Sequence, residues 1–294
     1  SHYPDDERIY HKEIKTLIKK KFNINYFTLS ESKENLSERY IKHINYNSAK
    51  YSIKEYMDLV ESEIRESPTK VIHIHEPELF SLAVNIKYLI GAKIIYDVHE
   101  DYISMIYTFS RWNNYFKHLR VKFWLFKEKS FLKHVDEVII ASSTIVNSDF
   151  KAQGFSPALI ENFPLRTIIG DIDLNNKVNN SLIYHGNMGP ERGIIELIEA
   201  MRYVIREIPD ANLSLIGGFR TNEYKIKVIS KIDMLGLKEH ISFQDHILHQ
   251  DIWGHLIKHK VGIIPFNENP LTKVNTPTKL FEFMASGCQL VVPN

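Results

Sequence analysis

The chain has 294 residues, 44% of them hydrophobic, enough to bury one large or two medium cores. Lys and Arg number 37 against 36 Asp and Glu, so the net charge of +1 excludes the broad basic footprint of a nucleic-acid binder and leaves any anion site local. The single cysteine, Cys288, excludes an intrachain disulfide framework and cysteine-built metal sites, and it suits a reducing cytosol. No apolar run reaches about eighteen residues, and SHYPDDERIY lacks the features of a secretory signal, so a cytoplasmic protein is expected.

Helical spacing over Ile9–Lys21 and Ile53–Glu66 leads to a strand at Val71–His75, a helix at Leu79–Ile90 and strands at Lys93–His99 and Glu137–Ser142, with the helix Tyr115–Lys133 between these two. After Asn162 the pattern repeats. Strands at Leu182–His185, Leu213–Ile216, Ile241–Phe243, Val261–Phe266 and Leu290–Pro293 alternate with helices at Ile194–Ile208, Tyr224–Leu235, Ile252–Lys258 and Lys279–Ala285. Such alternation predicts doubly wound α/β units with parallel sheets. Pro164, Gly170 and clustered Asn and Asp interrupt it, which divides the chain into 1–165, a linker 166–180 and 181–294. In open parallel sheets ligands bind beyond the carboxyl ends of strands, so the segments after each strand carry the functional reading.

The strand Leu182–His185 is followed by GNMGPERG (186–193) and an apolar helix. Three glycines, a helix N-terminus and the fork of Arg192 are the parts of a diphosphate site. The alternative is an ordinary glycine-rich turn with Arg192 in solvent. The segment is neither G-x-G-x-x-G nor a P-loop, against nicotinamide dehydrogenases and P-loop ATPases. Farther on, Thr276 is a natural N-cap, Pro277 a first helical residue and Gly287 a stop, with Leu280, Phe281 and Met284 on the apolar side. Lys279 and Glu282 share a face, where a cation could meet phosphate and a carboxylate a sugar hydroxyl, or where the two could form a solvent-facing ion pair. Gly217 and Gly218 end the third strand, where they serve close ligand approach or a tight turn.

In order, YHGNMGPERGIIELIEAM, the strand ending in GG, LGLKEHISFQDHI, VGIIPF and PTKLFEFMASG make Ser181–Asn294 resemble the donor domain of retaining, family 4-type glycosyltransferases (glycosyl transferases group 1) with the GT-B fold. The first half resembles that family's acceptor domain through His2–Ile9, HIHEPELF (73–80), IIYDVHEDY (94–102) and HVDEVIIASS (134–143). The resemblance implies two Rossmann-like doubly wound domains facing a cleft. It implies a sugar moved with retention from a nucleoside-diphosphate sugar, UDP- or GDP-linked, to a saccharide or lipid-linked acceptor in surface polysaccharide or glycolipid synthesis. No further cofactor and no metal is expected.

Residue by residue, the resemblance gives Gly186, Asn187, Gly189 and Arg192 to the diphosphate, with Thr276, Pro277, Thr278 and Lys279. Glu282 falls to the ribose, and Gly217, Gly218, Phe219 and His246 flank the base. His99, with Arg192 and Lys279, is assigned to catalysis, while His75, Glu76 and Glu100 face the acceptor. Two positions depart from the pattern: Val274 stands where the first Glu of E-x7-E belongs, and Asn187 replaces the Arg of a Gly-Arg pair. A lost charge-assisted contact of about 1.5–3 kcal/mol weakens donor binding. The first strand and the last βα units of the pattern are expected beyond the two ends of this chain.

Other readings stand beside these. His73 and His75 with nearby acids have metal-ligand character, although the acids are placed on loops and His73 in the core. No carboxylate pair suggests double displacement. The basic, aromatic helix Tyr115–Lys133 suits either an anionic membrane surface or a domain helix with its aromatics in the core. A nucleotide-sugar 2-epimerase and a non-catalytic GT-B partner subunit are the alternative functions.

Overall fold

The computed structural model describes residues 4–32, 36–110, 112–145, 150–165, 173–245, 247, 249–274 and 276–293. The chain forms two units, Ser1–Asn162 and Phe163–Asn294. Much of the predicted linker, residues 166–172, lies outside the described residues.

In the first unit the chain enters through a helical turn at Glu7–Ile14 that continues as α1 (Lys15–Lys19), begun by Asp6, whose side chain accepts from the Arg8 and Ile9 amides. Two strands that the apolar pattern did not reveal follow, β1 (Ile24–Ser30) and β2 (Ile41–Asn47), paired in parallel. They carry polar side chains that satisfy one another: Thr28 Oγ1 lies 2.9 Å from His43 Nε2 and donates to Asn45 Oδ1 at 2.8 Å. Helix α2 (Ile53–Glu66) matches its predicted span and opens on a full capping box between Ser52 and Glu55.

Beyond it, β3 (Val71–Ile74), α3 (Phe80–Ile90), β4 (Lys93–Val98), α4 (Tyr102–Phe109), α5 (Asn114–Leu132), β5 (Glu137–Ile140) and the short β6 (Ala158–Leu159) complete the unit. The sheet runs β3-β4-β5-β6, all parallel. Its core centres on Tyr96, fully buried, with Phe80 and Phe131 stacked at 3.8 Å beside it. The expectation of a domain helix with its aromatics in the core holds for part of α5 only: Phe131 is buried and Trp124 packs against the core, whereas Phe123 and Phe126 are 68% and 72% exposed.

The second unit comprises β7 (Val178–His185), α6 (Ile194–Glu207), β8 (Asn212–Ile216), α7 (Asn222–Leu235), β9 (Ile241–Gln244), α8 (His249–Leu256), β10 (His259–Ile263), α9 (Pro270–Val274), α10 (Thr278–Ala285) and β11 (Gln289–Val291). Strand β7 starts four residues earlier than predicted, inside the predicted linker. The sheet order is β11-β10-β7-β8-β9, every pair parallel. The chain moves outward from β7 to β9 and then returns to the other side of β7. That reversal makes the carboxyl ends of β7 and β10 the topological switch point, where such sheets hold their ligands.

Packing at this point is close enough to fix two glycines. A Cβ on Gly262 would lie 2.4 Å from the Phe283 ring, so α10 seats on β10 only because that side chain is missing. A Cβ on Gly193 would stand 1.7 Å from the Pro265 carbonyl oxygen, at a residue whose φ of +67° already favours glycine. Among the described residues no helix is long and apolar enough to cross a membrane.

Candidate functional site

The seating of Phe283 decides how α10 faces. The predicted apolar side included Met284, but Met284 is 60% exposed and Phe283 is fully buried, so Lys279 and Glu282 turn inward and are 9% and 3% exposed. This rules out the solvent-facing ion pair. The helix starts at Thr278 with Pro277 as its cap and no side-chain cap bond, one residue later than the predicted Thr276 cap, and Thr276 is exposed.

Lys279 Nζ donates to the His185 carbonyl at 2.6 Å and lies over the rings of Tyr184 (4.3 Å) and Phe266 (5.2 Å). Gly186 makes room for this ammonium, because a Cβ there would sit 2.9 Å from Nζ. That glycine therefore serves a side chain as well as the turn. Burial, with the charge of Arg192 added and Glu282 opposing, pushes the Lys279 pKa down to about 7.

Arg192 closes the short helical turn Pro190–Arg192 and lays its guanidinium over Phe266 at 4.6 Å, the ring that Lys279 also covers. Its Nε is 3.2 Å from Glu191 Oε1, which Arg220 also holds at 2.6 Å. Gly189 leaves space for Glu191, whose carboxylate would be 2.6 Å from a Cβ there. Helix α6 follows with Gly193 as its cap and no side-chain cap, so its N-terminal amides have no side-chain acceptor at the cap. Asn187 is exposed, and its carbonyl accepts the Tyr184 hydroxyl at 2.7 Å.

Glu282 meets a partner that the sequence reading passed over. His185, at the end of β7, places Nε2 3.1 Å from Glu282 Oε2, and its ring stands edge-on to Phe283. A buried histidine ending the strand before the glycine loop was the available signal. Gly217 is explained by the fold, since a Cβ there would be 2.4 Å from the Gly186 carbonyl oxygen, whereas one on Gly218 would meet nothing within 4 Å. Phe219, beside Phe243 at 5.8 Å, offers an aromatic surface next to that opening. His246 lies outside the described residues, and Val274 ends α9.

The first unit gathers a second cluster at the ends of β3 and β4. Asp97 is fully buried, and each of its oxygens accepts from Arg8 Nη2, at 3.1 and 3.2 Å. Arg8 also donates through Nε to His99 Nε2 at 3.2 Å and through Nη1 to the Ile160 carbonyl at 2.5 Å. His73 Nε2 lies 3.3 Å from Asp97 Oδ2, and His75 Nδ1 lies 3.0 Å from His99 Nε2. His73 is thus a member of this network and not a core residue, and Asp97 stands on a strand where the acids had been placed on loops. Glu76 precedes the turn Pro77–Leu79, and Glu100 is exposed.

Asp97 belongs to the run of His and acids read at the end of β4, whereas Arg8 and Glu13 were not recognised from sequence, because they join it only through tertiary structure. Burial raises the Asp97 pKa, but bonds and charge from His73, His99 and His75 outweigh it and hold the carboxylate below its usual range. Burial, then the charge of Asp97, pushes Glu13 up to about 8 against the pull of Arg8. Its oxygens have no aligned donor, although Oε1 lies 2.9 Å from Arg8 Nε. Glu13, His73, His75 and Asp97 bring one ligand atom each to within 4.8 Å of one another, a spacing that could hold a metal ion, and Arg8 lies against both carboxylates.

Solved structures with this fold are GT-B glycosyltransferases. Sucrose-phosphate synthase from Thermosynechococcus elongatus matches with a TM-score of 0.71 at 15% identity over 98% of this chain and 75% of its own. Anabaena HepE, solved with UDP-glucose, matches at 0.60 and 13% identity over 91% and 80%. TarM of S. aureus, solved with UDP, Fondaparinux and alpha-GlcNAc-glycerol, matches at 0.58 and 13% identity over 81% of this chain and 45% of its own. Residues 179–294, most of the second unit, match the family model described as glycosyl transferases group 1. No curated protein matches the chain in sequence.

Proposed function

We propose that the chain transfers a sugar from a nucleoside-diphosphate sugar to a hydroxyl of a saccharide or lipid-linked saccharide, with retention of configuration, in surface polysaccharide or glycolipid assembly. One observation carries this reading: Arg192 and Lys279 are held over one ring, Phe266, at the switch point of the sheet. Burial chiefly, and the neighbouring charge of Arg192 next, disfavour the ammonium of Lys279, and a diphosphate placed between the two side chains offsets both. The amides at the start of α6 add to the same field.

In this reading the bond from the anomeric carbon to the diphosphate oxygen breaks while the acceptor oxygen attacks the same face. The acceptor proton passes to the departing phosphate. Arg192 and Lys279 stabilise the charge that develops on it, and no metal takes part. Glu282 takes the ribose hydroxyls, exchanging part of its contact with His185, and Phe219 lies along the base. UDP is the donor nucleotide we favour, because HepE and TarM were solved with it. The acceptor is assigned to the histidine cluster of the first unit, His75 and His99 with Glu76 and Glu100. A lipid-linked acceptor would bring the enzyme to the inner face of the membrane.

Incubation with isotope-labelled UDP-, GDP- and ADP-sugars and a panel of saccharide acceptors tests the proposal by mass spectrometry. A labelled glycoside and free nucleoside diphosphate are expected from one donor. A donor sugar changed in configuration but not in mass would make the chain an epimerase. Tight nucleotide binding without turnover would make it a non-catalytic partner.

A further inference from the structure

Helix α5 carries two apolar stripes on opposite sides. One, with Val121, Trp124, Phe131 and Leu132, enters the core and includes the buried Glu128, which accepts the Tyr96 hydroxyl at 3.4 Å. The other begins just before the helix and runs Trp112, Phe116, Leu119, Phe123 and Phe126, spaced alternately four and three residues apart, so its members stack along one line. Their exposures are 57, 50, 45, 68 and 72%, and Tyr115 beside them is 69% exposed. A row of aromatic side chains this open is costly in water unless something covers it.

The charges around the stripe identify the cover. Arg120 and Lys127 follow it on one side and Lys122 and Lys129 on the other, and Arg120 reaches back over the Trp112 ring at 5.7 Å. The only acid within α5, Glu128, is buried. A chain of net charge +1 thus concentrates cations along one exposed helix that carries no exposed acid of its own. Aromatic residues flanked by Lys and Arg are what a helix needs to lie in the plane of an anionic bilayer, rings among the acyl chains and cations at the headgroups.

We propose that α5 is a membrane-docking helix that lies flat on an anionic phospholipid surface, with Trp112, Phe116, Leu119, Phe123 and Phe126 inserted and Arg120, Lys122 and Lys129 on the headgroups, while Lys127 stays on the Pro77 carbonyl. It gives the lipid-linked acceptor reading a physical attachment but stands independently of the nucleotide site, because it needs no donor. The whole chain is sedimented with vesicles of phosphatidylcholine alone and with one-third phosphatidylserine. Binding should be at least about tenfold stronger to the anionic vesicles and fall at high salt.

A Phe123→Ser, Phe126→Ser double variant and a Lys122→Glu, Lys129→Glu double variant should each lose about tenfold or more of that binding. The changed residues are exposed, so the thermal midpoint and any nucleotide binding should be unchanged. Equal binding to both vesicle types, or full binding by both variants, would overturn the proposal. So would concentration-dependent dimerisation without lipid that the Phe double variant abolishes while vesicles fail to bind, which would make the stripe a contact between copies.

Discussion

Replacing Asp97 with alanine is expected to destabilise the first unit by about 3–5 kcal/mol. The carboxylate is fully buried and pairs with Arg8, itself 6% exposed. Its loss strips Arg8 Nη2 of its acceptor and leaves the guanidinium, among three histidines, to Glu13, whose raised pKa keeps it largely uncharged. The effect should be read in a Trp253→Phe background, where Trp112 and Trp124 are the remaining tryptophans and both belong to the first unit. The urea midpoint should fall sharply. An Arg8→Met, Asp97→Leu double variant should lose less than Asp97→Ala, because removing both charges leaves neither unpaired. A loss under about 1 kcal/mol on Asp97→Ala would show that the network does not hold the unit together.

The second large effect falls on Lys279. Its pKa of about 7 makes it largely neutral in the free chain at pH 8, and an anion placed against it restores its charge. Binding of a nucleoside diphosphate should therefore take up protons near pH 8, visible as a heat that changes with the ionisation enthalpy of the buffer. Affinity should fall as pH rises above about 7. Lys279→Met should abolish the uptake and weaken binding by about one to two orders of magnitude, the worth of one charge-assisted bond. Buffer-independent heats with unchanged affinity would place the anion elsewhere. Without ligand the sign differs. The folded pKa lies below the ordinary lysine value of 10.5, so the unfolded chain binds more protons between about pH 7 and 10.5, and stability rises with pH across that window.

Much of the second unit was legible because its features are local. The run from β7 through the glycine loop into α6, and the Pro277 start of α10, follow from strand period, glycine and caps that lie within a few residues. The facing of α10 was not legible. Whether Phe283 or Met284 goes inside depends on the vacancy at Gly262, which is a property of another strand. The inward turn of Lys279 and Glu282, and the meeting of Glu282 with His185, follow from that one contact.

In the first unit the reading found the histidines but not what orders them. Arg8 reaches Asp97 across 89 residues of sequence, and no spacing rule spans such a distance. Strands β1 and β2 escaped because their cross-strand bonds join Thr28, His43 and Asn45, and a search for apolar runs passes over polar ladders. The two sides of α5 were separable only once Tyr96, Phe80 and Phe131 had claimed one of them.

The central claim is that the switch point of the second unit holds a nucleoside diphosphate between Arg192 and Lys279. Calorimetric titration of UDP into the chain and into an Arg192→Ala variant tests it most directly. We predict binding at one site per chain, weakened about tenfold or more by the substitution. Failure of UDP, GDP and ADP all to bind, or an affinity unchanged in Arg192→Ala, would contradict it.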